Sequence, residues 1–263
     1  MLNIVTWNIN SVRLRAEMVA RFVIDAKPDV LCLQEIKCRD GEFPLQAFKN
    51  MGLRYTHVVG QKGWHGVAIA SRHKLEPLSL SLCPKNEARA AAVRVQGVEI
   101  NNLYVPAGAD VPDRAVNEKF GHKLDFLDCM RAYYKKRKGK GPLVVVGDLN
   151  VAPGEHDVWS HKQLLDVVSH TPQETMRLDA VREDGGFVDL ARLHRPAPEK
   201  LFTWWSYRSP DWTANNRGRR LDHIWASEDL APASQASGFR IHTPCRSWER
   251  PSDHVPVAVK LKL

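Results

Sequence analysis

Short apolar runs with strand character recur along the whole chain, and only some of them are separated by stretches long enough for a helix. "LNIVTW" leads into "RLRAEMVARFVIDA", where Val19, Phe22, Val23 and Ala26 fall at helical spacing, so a helix is predicted over 13–26. "PDVLCLQE" reads as a second strand, opened by Pro28, and "YTHVVG" and "GVAIAS" as a third and fourth. "AAVRVQGVEINNLYV" reads as a hairpin turning near Gln96-Gly97. A long helix is predicted over about 117–136, the strand "GPLVVVGD" follows, and another helix covers 173–183. "LFTWWSY", "RRLDHIWAS" and "DHVPVAVKLKL" then follow without long helices between them. Strands so connected must pair antiparallel at least in part. The pattern therefore predicts an α/β chain with two packed mixed sheets and helices outside them. No linker or repeat divides the 263 residues, so a single domain over 1–263 is expected.

Three of these strands end alike. "IVTW" delivers Asn8 and Asn10, "VLCL" delivers Gln34 and Glu35, and "LVVV" delivers Asp148 and Asn150. If the chain stays extended, Asn8 and Asn10 share a face, and so do Asp148 and Asn150. An Asp or Asn after a strand is commonly turn or cap chemistry. Three such ends together suggest a rigid oxygen-lined site instead, and oxygen donors suit Mg²⁺ or Mn²⁺. Glu35 is the natural anchor for such an ion. Asp222 stands inside the otherwise apolar "RRLDHIWAS" and needs a buried partner. His254, just before the last strand, can be that partner, oriented and held protonated by the carboxylate. His223 adjoins Asp222 on the same strand and should point to the opposite face.

Composition adds the partner class. The net charge is +8, which favours a polyanion such as nucleic acid. The basic run "RAYYKKRKGKG" over 131–141 reads more simply as a solvated helix end than as a phosphate contact. Cys32, Cys38, Cys83, Cys129 and Cys245 are scattered and odd in number, so reduced thiols and a cytoplasmic setting are expected. No apolar run is long enough to span a bilayer, and no basic-then-apolar secretory pattern opens the chain.

"TWNIN", "LCLQEIKC", "GQKGWHGVAI", "NLYVP", "GDLNVAP", "TWWSYR", "RLDHIWAS" and "PSDHVPV" occur in this order from near Ile4 to near Val259. In these motifs the chain resembles the exonuclease III / AP endonuclease family of the endonuclease/exonuclease/phosphatase superfamily. The resemblance implies a four-layer α-β-β-α sandwich. It implies a monomeric DNA-repair nuclease that uses Mg²⁺, with Mn²⁺ as a substitute, to cleave double-stranded DNA 5′ to abasic sites. It also implies 3′→5′ exonuclease and 3′-end-cleaning activities, with no membrane partner. In that family's terms Glu35 is the main metal ligand, Asn8 and Asn10 lie beside metal and phosphate, and Asp253 helps hold the metal. Tyr104 corresponds to the active-site tyrosine, and Asp148 orients or deprotonates the water. Asn150 binds the scissile phosphate, and His254, oriented by Asp222, stabilises its growing charge. Asp148 is preferred to Tyr104 as the base, because a phenol with pKa near 10 matches neutral pH poorly. Lys37, Arg89 and Arg217 are candidate DNA contacts, and Trp204, Trp212 and Leu221 candidate walls of the abasic pocket.

Two departures stand out. Ala107 takes the place of a usual Asn in a segment, "YVPAGADVPDRAVN", longer than the usual loop, and Arg219 takes that of a usual apolar residue near the pocket. The competing readings are a superfamily relative acting on RNA or small phosphoesters, and a nucleic-acid-binding module without catalysis.

Overall fold

The computed structural model describes residues 1–82, 85, 87–209 and 211–263. Its strands are β1 Leu2–Asn8, β2 Val30–Gln34, β3 Tyr55–Val59, β4 Val67–Ser71, β5 Glu76–Leu78, β6 Ala90–Val95, β7 Val98–Tyr104, β8 Leu143–Asp148, β9 Phe187–Asp189, β10 Asp222–Ser227, β11 Arg240–Ile241 and β12 Val257–Leu261. They form two six-stranded sheets, in the orders β11-β12-β1-β2-β4-β3 and β5-β6-β7-β8-β10-β9. Both are mixed. β1 runs parallel to β2 and antiparallel to β12, and β8 runs parallel to β7 and antiparallel to β10.

Alternation along each strand builds the layers. Ile4, Val30, Cys32 and Ile69 meet Ile100, Val144, Val146 and Ile224 in a core between the sheets. Their neighbours Val5, Trp7, Leu31 and Leu33 point outward under Val19, Phe22 and Val23 of the helix Ala16–Ala26. On the other side Leu103, Val145 and Trp225 pack under the helices Glu118–Arg137 and Pro172–Gly185. The expected four-layer α-β-β-α sandwich is thus formed. At the hairpin, Gln96 and Gly97 have φ of 49° and 84°, the left-handed pair that a two-residue turn with the twist of its strands requires.

Some elements differ from expectation. The first helix begins at Ala16 rather than Arg13, because the buried Arg15 side chain turns back to the carbonyls of Ile9, Asn10, Arg250 and Pro251. "LFTWWSY" adds no strand to either sheet, and only Trp204 bridges, to Arg219 and to His254. The basic run closes the helix Glu118–Arg137, where Arg131 pairs with Asp184 and Arg137 with Glu99 on the outer layer. No disulfide joins Cys32, Cys38, Cys129 or Cys245, and Cys83 lies outside the described residues. No helix among the described residues is long and apolar enough to cross a membrane.

Register positions the polar strand ends. Asn8 stands beside Gln34 in one sheet, and Tyr104, Asp148 and Asp222 stand abreast in the other. Between the sheets Gln34 donates to Thr6 Oγ1 (2.9 Å) and Asn102 Oδ1 (2.6 Å), while Asn102 donates to the Leu33 and Ala68 carbonyls. Gln34 therefore fixes one sheet against the other, and Glu35 turns to the site.

Candidate active site

At the end of β2, Glu35 adopts φ 49°, and its carboxylate gathers three donors. Asn8 Nδ2 donates at 3.0 Å, the Tyr104 hydroxyl at 2.8 Å and Lys37 Nζ at 3.0 Å. Burial pushes the Glu35 carboxyl up, but the Lys37 charge and these hydrogen bonds outweigh it and hold the pKa below the usual value. Tyr104 is driven the other way: burial, then the Glu35 and Asp148 charges, raise its phenol well above 10. The hydroxyl is a fixed donor to Glu35 and is unsuited to accept a proton.

Asn10 and Asn150 do not continue their strands. Their φ of 47° and 53° turn the chain, and their amides donate back to the side chains of Asn8 (3.1 Å) and Asp148 (2.9 Å). Turn chemistry and site chemistry thus coincide at both positions. The Asn150 side chain donates from Nδ2 to the Val105 carbonyl and to Asp148 Oδ2, at 2.9 and 3.1 Å.

Asp148 is fully buried, with Asn8 Nδ2 at 2.9 Å and His254 Nε2 at 3.7 Å from Oδ2. Burial pushes its carboxyl up to about 7, with Asp222 and Glu35 adding to the rise and His254 and Asn8 opposing it. His254 Nδ1 bonds Asp222 Oδ2 at 2.8 Å, the pairing expected from sequence. Burial disfavours charge on the ring, but Asp222, then Asp148, outweigh it and push its pKa up to about 10. Carboxylates flank both ring nitrogens and favour the charged ring. His223 points away, as expected, bonding Arg220 and the Val151 carbonyl, and its pKa falls to about 4 through burial and then the Arg220 charge.

Asp253 accepts from Asn10 Nδ2 (3.1 Å) and Trp204 Nε1 (3.0 Å). Lys37 Nζ lies 2.6 Å from Asn10 Oδ1 as well as against Glu35. An ammonium thus sits between oxygens of Glu35 and Asn10, so this donor set of hard oxygens accommodates a cation and fits a divalent ion. The ligand atoms of Asp148, Asp222 and His254 also lie within 4.8 Å of one another. There one ring nitrogen and one Asp222 oxygen are already engaged with each other by the 2.8 Å hydrogen bond.

Two candidates sit in surroundings the sequence does not show. Asn8 gives Glu35 and Asp148 its amide nitrogen, and its oxygen accepts from the Asn10 backbone. In this arrangement the nitrogen of its amide, not the oxygen, faces the two carboxylates. Arg89 does not reach the groove. It is buried behind Tyr104, 5.0 Å from the ring, bonded to Glu87 and the Tyr104 carbonyl. A guanidinium so placed has no free face for a phosphate.

Beside Asp148, Asn150 and His254 opens a groove of about 810 Å³. Trp204, Trp212, Leu221, Arg217 and Arg219 line it, as does the exposed Ala107. Trp205 is 4% exposed and packs with Phe202 and Val255, so of the adjacent tryptophans one is core and Trp204 faces the groove. Lys123 is a supporting residue that was not foreseen. Fully buried and paired with Glu174, it donates to the carbonyls of Asn150 (2.7 Å) and Ala107 (3.2 Å). Its signal was a lysine at helical spacing with Phe120, Leu124 and Leu127 on a core-facing stripe.

Two packed sheets that aim their polar strand ends at one groove, with a carboxylate–histidine–carboxylate row, define a class. Residues 5–254 match the Endonuclease/Exonuclease/phosphatase family, and the chain belongs to it. Among curated relatives, the exodeoxyribonuclease III of Haemophilus influenzae is 30% identical over 275 residues, covering 99% of this chain and 100% of the relative. Among solved structures, an AP endonuclease from Archaeoglobus fulgidus superposes with TM-score 0.92 at 33% identity, covering 100% of both chains. A 3′ phosphatase from Neisseria, NExo, bound to a product DNA hairpin, superposes with TM-score 0.92 at 28% identity, again covering 100% of both.

Proposed function

We propose that the chain is a DNA-repair nuclease, acting as one catalytic domain on duplex DNA and hydrolysing phosphodiesters 5′ to abasic sites and at 3′ ends. The observation that carries this reading is the fully buried Asp148 carboxylate, its pKa raised by burial, 3.7 Å from the ring of His254, whose other nitrogen bonds Asp222 at 2.8 Å. Phosphodiester hydrolysis asks for that combination: a base matched to neutral pH and a cation fixed where charge grows. The relatives, named for exodeoxyribonuclease III, AP endonuclease and 3′ phosphatase activities, support the substrate class.

In this reading the scissile phosphate lies between Asn150 and His254. Asp148 takes a proton from the attacking water, and Asn8 and Asn150 keep its carboxylate aimed. His254 donates a charged hydrogen bond to a phosphate oxygen, and Asp222 keeps the ring protonated. Glu35, with Asn10 and Asp253, would hold Mg²⁺, which when bound supplies positive charge to the phosphate. Lys37 is then free for phosphate. Tyr104 positions Glu35. Trp204, Trp212 and Leu221 form the wall that meets the residue beyond the cut, and Arg217 meets the backbone. The five scattered cysteines, odd in number, support a reducing, cytoplasmic setting.

The test is a duplex carrying one abasic-site analogue and one recessed 3′ end, incubated with Mg²⁺ and with a chelator control. Metal-dependent cleavage at either site is expected. Absence of cleavage at both, with RNA or small phosphoesters cut instead, would refute the reading.

A further inference from the structure

Arg15 is buried, yet the five acceptors around its guanidinium include no carboxylate. Nε donates to the Arg250 carbonyl at 3.0 Å. Nη1 donates to the carbonyls of Ile9 (3.3 Å) and Asn10. Nη2 donates to the Tyr207 hydroxyl (3.0 Å) and the Pro251 carbonyl (3.1 Å). A guanidinium carries its N–H donors in a fixed planar fork, and here every one of them meets an acceptor. Those acceptors belong to three separate segments, at 9–10, at 207 and at 250–251. The fork itself has a rigid base, because the Arg15 carbonyl accepts from the Val19 amide (2.9 Å) where the helix Ala16–Ala26 begins.

Two of these segments carry the oxygens of the candidate cation site. Asn10 lies in the first, Asp253 follows Pro251 by two residues, and the Asn10 side chain donates to Asp253 at 3.1 Å. Their backbones are unusual: Asn10, Ser11 and Arg250 have φ of 47°, 86° and 48°. Non-glycine residues persist in that region only where their surroundings hold them there. The carbonyls of Asn10 and Arg250 are both bound by Arg15, which is such a hold. The Tyr207 hydroxyl extends it by donating to the Pro251 carbonyl (2.7 Å), and Ser252 Oγ makes the neighbouring tie, to the Asn8 carbonyl (2.7 Å). A lysine has three donors on one atom, so it cannot meet all the acceptors that the fork spans.

We propose that Arg15 is a positioning residue for the cation site. By clamping the turn after Asn10 to the loop before Asp253, it sets the spacing of the oxygens these residues offer. It thereby sets the affinity of the site for a divalent ion, acting through the two loops and not by contact with the ion. The inference rests on the reading above that Glu35, Asn10 and Asp253 hold the ion.

The test measures Mn²⁺ binding to the DNA-free protein by paramagnetic resonance of the free ion, for the wild type and Arg15→Lys, with a denaturant titration of each. Arg15→Lys should raise the Mn²⁺ Kd by about tenfold or more, the range seen when a group that orients metal ligands is lost. The Mg²⁺ concentration for half-maximal cleavage of duplex DNA should rise in parallel, and excess Mg²⁺ should recover turnover. A role confined to folding would lower the denaturation midpoint and leave the Kd where it was. If Arg15→Lys fails to fold, Tyr207→Phe carries the test: it removes one of the fork's acceptors at an exposed side chain and should raise the Kd by about two- to threefold. An unchanged Mn²⁺ Kd in folded Arg15→Lys, or in Tyr207→Phe where that variant carries the test, overturns the positioning role. A wild type that takes up no Mn²⁺, or whose Kd Glu35→Gln leaves unchanged, counts instead against the cation site. A wild type that binds Mn²⁺ and cleaves no duplex counts against the nuclease reading.

Discussion

Asp222→Asn should disable the enzyme by discharging a histidine. The side chain keeps its shape, and one negative charge disappears 2.8 Å from His254 Nδ1. In the native site the His254 pKa rises from 6.5 to about 10, against burial that alone would lower it. That rise corresponds to roughly 5 kcal/mol in favour of the charged ring. Without Asp222 the charges of Asp148, at 3.7 Å, and of Asp253 remain to favour the cation, and burial pulls the ring back toward neutrality. With a pKa at or below the ordinary 6.5, about one ring in thirty stays charged at pH 8. Turnover should therefore drop about thirtyfold from population alone, and further because the ring loses its orienting partner. The sign of the pH dependence follows. The wild-type rate rises as Asp148, whose carboxyl burial holds above the ordinary range, ionises, and it falls on the alkaline side as His254 loses the proton that Asp222 and Asp148 hold. A cation at Glu35 lowers the first limb, because it favours the ionised carboxylate. In Asp222→Asn the descending limb should move down to about pH 6–7, collapsing the plateau. The assay is single-turnover cleavage of a saturating duplex across roughly pH 5 to 10. A variant with near-native rate at pH 8 and an unmoved descending limb would refute the reasoning.

Other substitutions separate the remaining roles. Tyr104→Phe removes one hydrogen bond to Glu35 and should cost about tenfold in turnover while keeping the ascending pH limb, whereas loss of that limb would make the phenol the base. Glu35→Gln should raise the Mg²⁺ concentration needed for half-maximal activity by about tenfold or more, read from a metal titration at fixed DNA. Lys123→Met leaves Glu174 charged and unpaired in the core and should destabilise the fold by about 3–5 kcal/mol in denaturant titrations. Adding Glu174→Gln should restore much of that stability but not the turnover, because the Asn150 carbonyl stays without its donor.

The sheets and the principal helices were legible because alternation of apolar residues and helical spacing are local signals. β5, β9 and β11 were not legible, since two or three residues carry no period to read. The Asp222–His254 pair was legible because a carboxylate inside an apolar strand demands a partner. Asn8 was assigned by residue type alone, and which end of its amide faces Glu35 is decided by the turn at Asn10. Arg89 reads as a DNA contact in the sequence because nothing there folds Tyr104 over it. Lys123 was invisible for a similar reason: its partners, Glu174, Asn150 and Ala107, lie far from it along the chain.

The central claim is that Asp148 accepts the proton of the attacking water. It is tested most directly by the single-turnover rate of Asp148→Asn on duplex DNA as a function of pH, with Mg²⁺ saturating. The account predicts a rate lower by about three orders of magnitude or more, with the ascending limb gone. Near-native turnover that still rises with pH would contradict it.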